Sequence, residues 1–595
     1  MRIVLHRDIP DDLLLQQQWN ALVQEMEHPE VFYTHQWALA VRRAYSESLL
    51  PMLILAYEGE RLIGVAALAA DPGRKIASFL SGATADYCDL LTHPDHRAKL
   101  LDAVLKELCR DGFSNIVLTS LPAESATRKA LRAMSRKHGF HLFVRPTSEC
   151  AQVDLGSELE RLELKTSLGK KKLFRRRMNS LGREGPVSFS HLVTWEAIEP
   201  VLASFNVAHV TRFLAMGRKS NLIAAERRTF LSELARLLSG SGWLVLSRML
   251  VADHPIAWNY GFQFQGSWFW YQPAFDASYE RLSPGYCLLN RIIAEACDKG
   301  EMRVVDLGLG EEGYKERFAN RSRPTMHASF TKSLDQHARE IVRYYAARGV
   351  RHVPGAESAV RSVLAYISCA RRKIKEARIQ GLAVRGVQWA AWLLNRCQEV
   401  VFYRWRDDQS ARVHGVSLEG LRLQPVDLEI LATAAMAYDK EEDTLSYLLH
   451  SARILQSKAG QSFALLDPDN TPVHFCWVGD FEGFEMKDLK TRLSAPNQNA
   501  AMISDCWTPL SKRDRGYFGI AISLLARHLS RAGKEPWIFS AITNPPSGRG
   551  IEIERAGFER RYSMICKTTL AWRRVSVVAF GEPRPAVEAQ ASSQA

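Results

Sequence analysis

Asp306, Glu311, Tyr314 and Lys315 lie close together in the run VVDLGLGEEGYK, residues 304–315. Carboxylates can take a proton from an attacking amine or hydroxyl, a phenol can return one, and a lysine can neutralise the charge that develops. Glu312 is a further carboxylate of the same run. No Ser-His-Asp order, metal-ligand cluster or Walker loop elsewhere in the sequence competes with this group. For each carboxylate the competing role is structural, a cap or a surface charge. For Gly308, Gly310 and Gly313 it is a plain turn.

These residues need elements to hold them. Trp268-Phe269-Trp270-Tyr271 is too rich in strand formers to be a helix. Ser283-Pro284-Gly285 closes the loop that follows. Leu288, Leu289, Ile292, Ile293, Ala296 and Cys297 then recur at helical spacing until Gly300 stops them. Val304 to Leu307 reads as a second strand, ending in the glycine-rich loop. The order strand, Pro/Gly loop, helix, strand splays two neighbouring strands and leaves a helix N-terminus between them. Free backbone N–H groups at such a terminus can hold a pyrophosphate.

SPG before a helix, then DLGLG and YK, resembles the acyltransferase domain of the GNAT superfamily in CelD-like proteins of bacterial cellulose and exopolysaccharide biosynthesis. A more distant similarity is to the FemAB peptidyltransferases. The resemblance spans about Trp19 to Phe330, with a weaker match near the C-terminus. It implies an α/β fold of tandem GNAT-like (acyl-CoA N-acyltransferase) domains with mixed central sheets, plus a helical linker. It also implies acetyl-CoA or another acyl-CoA as donor and an N- or O-acyl transfer serving exopolysaccharide or cell-envelope assembly. The acceptor would be a sugar or polysaccharide precursor, with peripheral contact to a membrane-bound synthesis complex.

A strand–helix–Gly-Phe–strand order recurs at Asn115 to Phe140 and at Trp537 to Cys566. Arg303 to Phe330 is a copy without the Gly-Phe step. GNAT enzymes hold the pyrophosphate at a Q/R-x-x-G-x-G/A loop. The first copy has no glycine there, between Thr92 and Arg97. The second has Arg281, Ser283, Gly285 and Tyr286, although its proline removes one donor. The third has Arg513, Gly516 and Gly519 in RDRGYFG. The family's acid tyrosine is replaced by Ser135 in the first copy and Ile553 in the third. The second keeps Tyr314 beside Lys315, and so is the expected working centre. Asp306 and Glu311 or Glu312 are its candidate bases.

The length of 595 residues calls for several domains. The expected division is 1–157 (GNAT-like, without a CoA site), 158–185 (a basic connector or arm), 186–335 (acyltransferase), 336–400 (helical linker), 401–575 (GNAT-like) and 576–595 (disordered tail). The composition, 46% hydrophobic and 24% charged, is that of a globular protein. No signal peptide or membrane-length apolar run appears, and ten scattered cysteines without a C-x-x-C pair suggest reduced thiols and no zinc site. A cytoplasmic protein, peripheral to the inner face of the membrane, is the expectation. The net charge of +13 gathers at Lys170 to Arg177 and Arg371 to Lys375. Neither run adjoins a nucleic-acid module, so nucleic acid is not expected as a partner. Residues 387–402, WLLNRC at their centre, are expected as an apolar helix, buried or laid on a membrane surface. Two further readings remain: a FemAB-like transferase using aminoacyl-tRNA, and a non-catalytic assembly protein with decayed GNAT domains.

Overall fold

The computed structural model describes residues 1–71, 73–310, 312–351, 395–406, 420–457, 460–486, 491–542, 548–569 and 572–579. The chain divides into two compact units, residues 1–212 with 224–354 and residues 213–223 with 355–595. Both are α/β, and both large sheets are mixed, as the sequence implied.

The first unit builds one sheet of thirteen strands. They are β1 (Arg2–His6), β2 (Leu50–Glu58), β3 (Arg61–Asp71), β4 (Ile76–Phe79), β5 (Leu91–Thr92), β6 (Asn115–Pro122), β7 (His141–Asp154), β8 (Val187–Leu192), β9 (Leu244–Val251), β10 (His254–Phe264), β11 (Ser267–Phe275), β12 (Val304–Asp306) and β13 (Arg321–Thr331). The helices are α1 (Leu13–Gln24), α2 (His35–Ala44), α3 (Arg97–Arg110), α4 (Ala126–Lys137), α5 (Glu158–Lys170), α6 (Lys172–Glu184), α7 (Trp195–Ala215), α8 (Ala225–Leu238), α9 (Pro284–Asp298) and α10 (Leu334–Arg351).

The sheet order through the middle is β4-β6-β13-β7-β12-β11. β6 and β7 are consecutive strands of the first copy, yet β13 from the second copy lies between them, antiparallel to both. β7 in turn pairs with β12. The two copies have exchanged their last strands. This is why the stretches expected as an N-terminal domain and an acyltransferase domain share one sheet.

α9 forms where the apolar spacing placed it. Its Cys287, Leu288, Leu289, Ile292, Ile293 and Ala296 are buried in a core with Trp268, Val305, Leu168 and Leu181. The last two belong to α5 and α6, so the basic stretch does not project. Lys171 Nζ donates to Arg317 O at 3.0 Å and lies over the Phe318 ring. Lys170, Lys172, Arg175 and Arg176 face solvent, the solvated face expected of a charge run.

The second unit has an eight-stranded sheet and a short two-stranded one. Its strands are β14 (Asn395–Trp405), β15 (Arg422–Pro425), β16 (Gln461–Leu466), β17 (Pro472–Asp480), β18 (Glu485–Met486), β19 (Thr491–Arg492), β20 (Ala500–Trp507), β21 (Glu535–Ile542), β22 (Phe558–Thr569) and β23 (Trp572–Ala579). Its helices are α11 (Leu428–Ala437), α12 (Glu442–Ser457), α13 (Tyr517–Arg531) and α14 (Arg549–Arg555). β14 occupies the place between β21 and β22 that β13 takes between β6 and β7. Residues 395–402 are therefore strand, not the expected helix. Val400 and Phe402 alternate with Val401 and Tyr403 into separate cores on the two faces of the sheet, and a run buried on both faces reads as uniformly apolar. β23 extends to Ala579, four residues into the expected tail. Residues 352–394 of the expected helical linker and residues 580–595 lie outside the described residues.

Candidate active site

β11 and β12 run parallel and pair only at Ser267–Val304, Trp268–Val305 and Phe269–Asp306. β11 then continues to Phe275 without β12. Its other neighbour, β10, shifts register between Tyr260 and Phe262, so that Trp270 and Tyr271 form a bulge. Gly261 sits opposite: a methyl there would stand 2.4 Å from Phe269 O, so no other residue fits. The splay expected from the sequence is thus present, with two aromatic side chains on the bulged edge.

Asp306 ends β12 at 1% exposure. Its carboxylate accepts from Tyr87 OH (2.8 Å), Gln152 Nε2 (2.7 Å) and the Gly308 N–H (2.8 Å). Three donors hold it in place. Beside it lies Asp86, from the loop after β4, a residue the sequence reading missed. Gly308, at φ +69°, passes so close that a methyl would stand 2.7 Å from Asp86 Oδ2. Asp86 keeps some solvent access, but burial, and after it the Asp306 charge, push its carboxyl up to about 7. A carboxyl at that value is matched to taking a proton near neutral pH. No motif surrounds Asp86 in ATADYCD, and only the exchange of strands brings it to Asp306.

Lys315 is 4% exposed. Its Nζ donates to Leu309 O at 2.7 Å and Gly308 O at 3.4 Å, and pairs with Glu312 at 2.8 Å. The ammonium therefore holds the glycine-rich loop from beneath. Tyr314 OH accepts from Trp270 Nε1 at 3.0 Å, and burial pushes the phenol up to about 12. Glu311 lies outside the described residues.

Behind the bulge is a cation that no motif marks. Arg227, on α8, donates to Tyr271 OH at 2.5 Å, and that hydroxyl donates to Thr84 O. Arg227 is buried, and its Nε and Nη1 have no hydrogen-bond partner among the described residues. Burial, then the charges of Arg212 and Arg227, push His209 down to about 3.

The loop leading into α9 turns at Ser283, which is left-handed at φ +54° and caps nothing with its side chain. The first-turn N–H groups of α9, less the one Pro284 lacks, carry no side-chain cap. Gly285 rests 3.5 Å (as a methyl) from the Phe275 ring, at the end of β11. Arg281 is exposed, and Tyr286 packs on Phe318 with ring centroids 5.1 Å apart.

The second unit repeats this arrangement. β20 and β21 pair in parallel over Ala500–Glu535 to Ile503–Ile538, then part. β20 bulges at Asp505 and Cys506 against β17, and Asp505 is left-handed at φ +46°. α13 starts at left-handed Gly516, φ +74°, again with no side-chain cap. Arg513 is exposed over the Trp507 ring, and Gly519 has open space at its Cβ. The parted strands open into a cavity of about 1200 Å³, lined among others by Tyr447, Ser504, Cys506, Phe518, Ser540 and Ile553. Ile553, the residue expected at the place of an acid tyrosine, contributes only an apolar wall.

Each unit thus sets a bulged strand and the parallel neighbour that leaves it beside an uncapped helix start, whose free N–H groups can meet an anion. Residues 169–316, the stretch holding the first of these clefts, match the acetyltransferase (GNAT) domain. No curated protein matches the chain. Similar solved structures include FemX, at 10% identity over 57% of this chain and 100% of that one with a TM-score of 0.40. L-PGS from Bacillus licheniformis is similar at 12% identity over 55% of this chain and 96% of that one, TM-score 0.34. A tandem GNAT protein from the clavulanic acid biosynthesis pathway shows 14% identity over 55% and 97%, TM-score 0.32.

Proposed function

We propose that the protein transfers an acyl group from an acyl-CoA thioester to an amine or hydroxyl, with the β11/β12 cleft of the first unit as the working centre. The observation that carries this is the splayed, bulged β11/β12 pair with the uncapped start of α9 beside it, inside the stretch that matches the acetyltransferase domain. The α9 N–H groups would take the pyrophosphate, helped by the exposed lysines and arginines of α5 and α6. Asp86 would take the acceptor proton and Tyr314 would protonate the departing thiolate. Asp306 would orient the site and hold Asp86 in its proton-accepting range, and Lys315 would fix the loop. The acceptor is a sugar or polysaccharide precursor, the class that the CelD-like motif implies.

A second reading has a specific support. The cavity of about 1200 Å³ beside Gly516 makes the second unit an alternative place for the acyl chain. Calorimetry of the whole chain with CoA, acetyl-CoA and longer acyl-CoAs, followed by a free-thiol release assay with amine and sugar acceptors, tests both. Saturable acyl-CoA binding with acceptor-dependent thiol release is expected. Binding of tRNA without any CoA binding would sink the proposal in favour of an aminoacyl donor.

A further inference from the structure

His474 and Cys476 stand two residues apart on β17, and side chains at i and i+2 of a strand share a face. The bulge in β20 brings Cys506 to the same face, with its Sγ 3.5 Å from that of Cys476. One ring nitrogen of His474 and the two sulfurs all lie within 4.8 Å of one another. The other observations concern the imidazole. His474 is 1% exposed, and its Nδ1 meets Thr508 Oγ1 at 2.7 Å. Its Nε2 is buried and has no hydrogen-bond partner among the described residues. A buried polar atom without a partner is uncommon and calls for a ligand. Cys506, unlike Cys476, lines the cavity between β20 and β21.

We propose that His474, Cys476 and Cys506 bind one thiophilic divalent metal ion, zinc fitting best, with its fourth coordination position open to the cavity of the second unit. Two thiolates and one imidazole are a known donor set for zinc that keeps a place for an exogenous ligand. Bonds of about 2.3 Å at tetrahedral angles put two sulfurs about 3.8 Å apart, close to the separation present. The Thr508 hydroxyl on Nδ1 fixes the imidazole and leaves Nε2 for the ion, the kind of support metal-bound histidines have. The balance is simple: one M²⁺ enters, two thiol protons leave to solvent, and the assembled site is neutral, which suits its burial. The equivalent of Cys476 across the bulge of the first unit is Gly261, so among the described residues the second cleft alone carries the donors. A cavity-facing ion there would polarise a ligand oxygen or hold a thiolate. The expectation of no metal rested on the missing C-x-x-C pair, a rule blind to ligands paired across strands. The inference stands apart from the acyl-transfer reading.

The test uses the full chain, reduced, stripped with a chelator and titrated with Zn²⁺ against a chromophoric competitor, and separately with Co²⁺. One equivalent per chain is expected, with two protons released and a thiolate-to-cobalt charge-transfer band. Cys506→Ser and Cys476→Ala should each abolish the band, and Thr508→Val should weaken affinity ~10–100-fold. Cys297→Ser, in the first unit, should change nothing. Adding imidazole or a small thiol should shift the cobalt ligand-field bands, reporting the open position. Retention of the band in both cysteine variants, or no bound metal in the native chain, overturns the site. So does loss of two thiols as a Cys476–Cys506 disulfide in the freshly purified protein. Unshifted ligand-field bands overturn the open fourth position.

Discussion

Asp86 and Asp306 can be separated by pH. If Asp86 is the base, kcat/KM rises with pH around a midpoint near 7, where its carboxyl loses the proton. Asp86→Asn should remove that limb and lower turnover by roughly 10²–10⁴-fold. Asp306→Asn should instead move the limb to lower pH, because one of the charges that raise Asp86 is gone. A limb unmoved in Asp306→Asn would deny the coupling. The same shift has a stability consequence. An unfolded aspartate ionises near about 3.9, while the folded Asp86 holds its proton to about 7. Between these values the unfolded state binds fewer protons, so Asp86 makes stability fall as pH rises through that window. Asp86→Asn should flatten the slope there relative to the native protein. Lys315 is a different case: its partners are Leu309 O, Gly308 O and Glu312. Lys315→Met should destabilise the first unit by about 2 kcal/mol, by leaving these oxygens unmatched. Glu312→Gln on top should cost less than its own single change, read from denaturant midpoints. Additive losses would mean the pair does not form. The sequence showed Asp306, Tyr314 and Lys315 because they share one run. Asp86 and Arg227 were illegible, since their place depends on a loop and a helix that only tertiary contacts bring in.

At the scale of elements, the two clefts share a device that composition hides: a bulge in the strand before the helix, and a left-handed residue at the helix start. Ser283 and Gly516 reach that conformation with different residue types, so a glycine pattern alone finds only one of them. The start of α9 and the start of α13 can be compared without disturbing either. A methyl at Gly285 would make an ordinary 3.5 Å contact with Phe275, and at Gly519 it would meet nothing nearer than 4.0 Å. Neither change should move the thermal midpoint appreciably. If pyrophosphate approaches the α9 backbone, Gly285→Ala should weaken acyl-CoA about tenfold, or ~1.4 kcal/mol. Gly519→Ala should then leave calorimetric affinity unchanged. The reverse pattern would move the donor site to the second unit. β14 shows where periodicity misleads: Val400 to Tyr403 is apolar on both faces, and such a run carries no period to read.

For the first unit as a whole, the repeat was legible and its consequence was not. Strand, helix and strand recur along the chain, which suggests domains in series. Pairing between strands, however, does not follow chain order, and β13 pairs with β6 and β7. Arg323 on β13 fastens the exchange through Glu30, from the segment between α1 and α2, and through Glu124 at 2.6 Å. It also lies 4.2 Å over the Tyr87 ring. Residues 1–157 alone would leave one edge of β6 and both edges of β7 without partners, and would expose Glu30 without its guanidinium. Unpaired edges of that length template aggregation. We therefore expect residues 1–157, expressed alone, to be insoluble or to unfold without cooperativity. Co-expressed with residues 158–354 they should be recovered as a complex that elutes at the size of the joined unit and melts in one transition. A cooperative melt of residues 1–157 by themselves, by circular dichroism, would show that the first copy completes its own sheet and that the exchange is not required for folding.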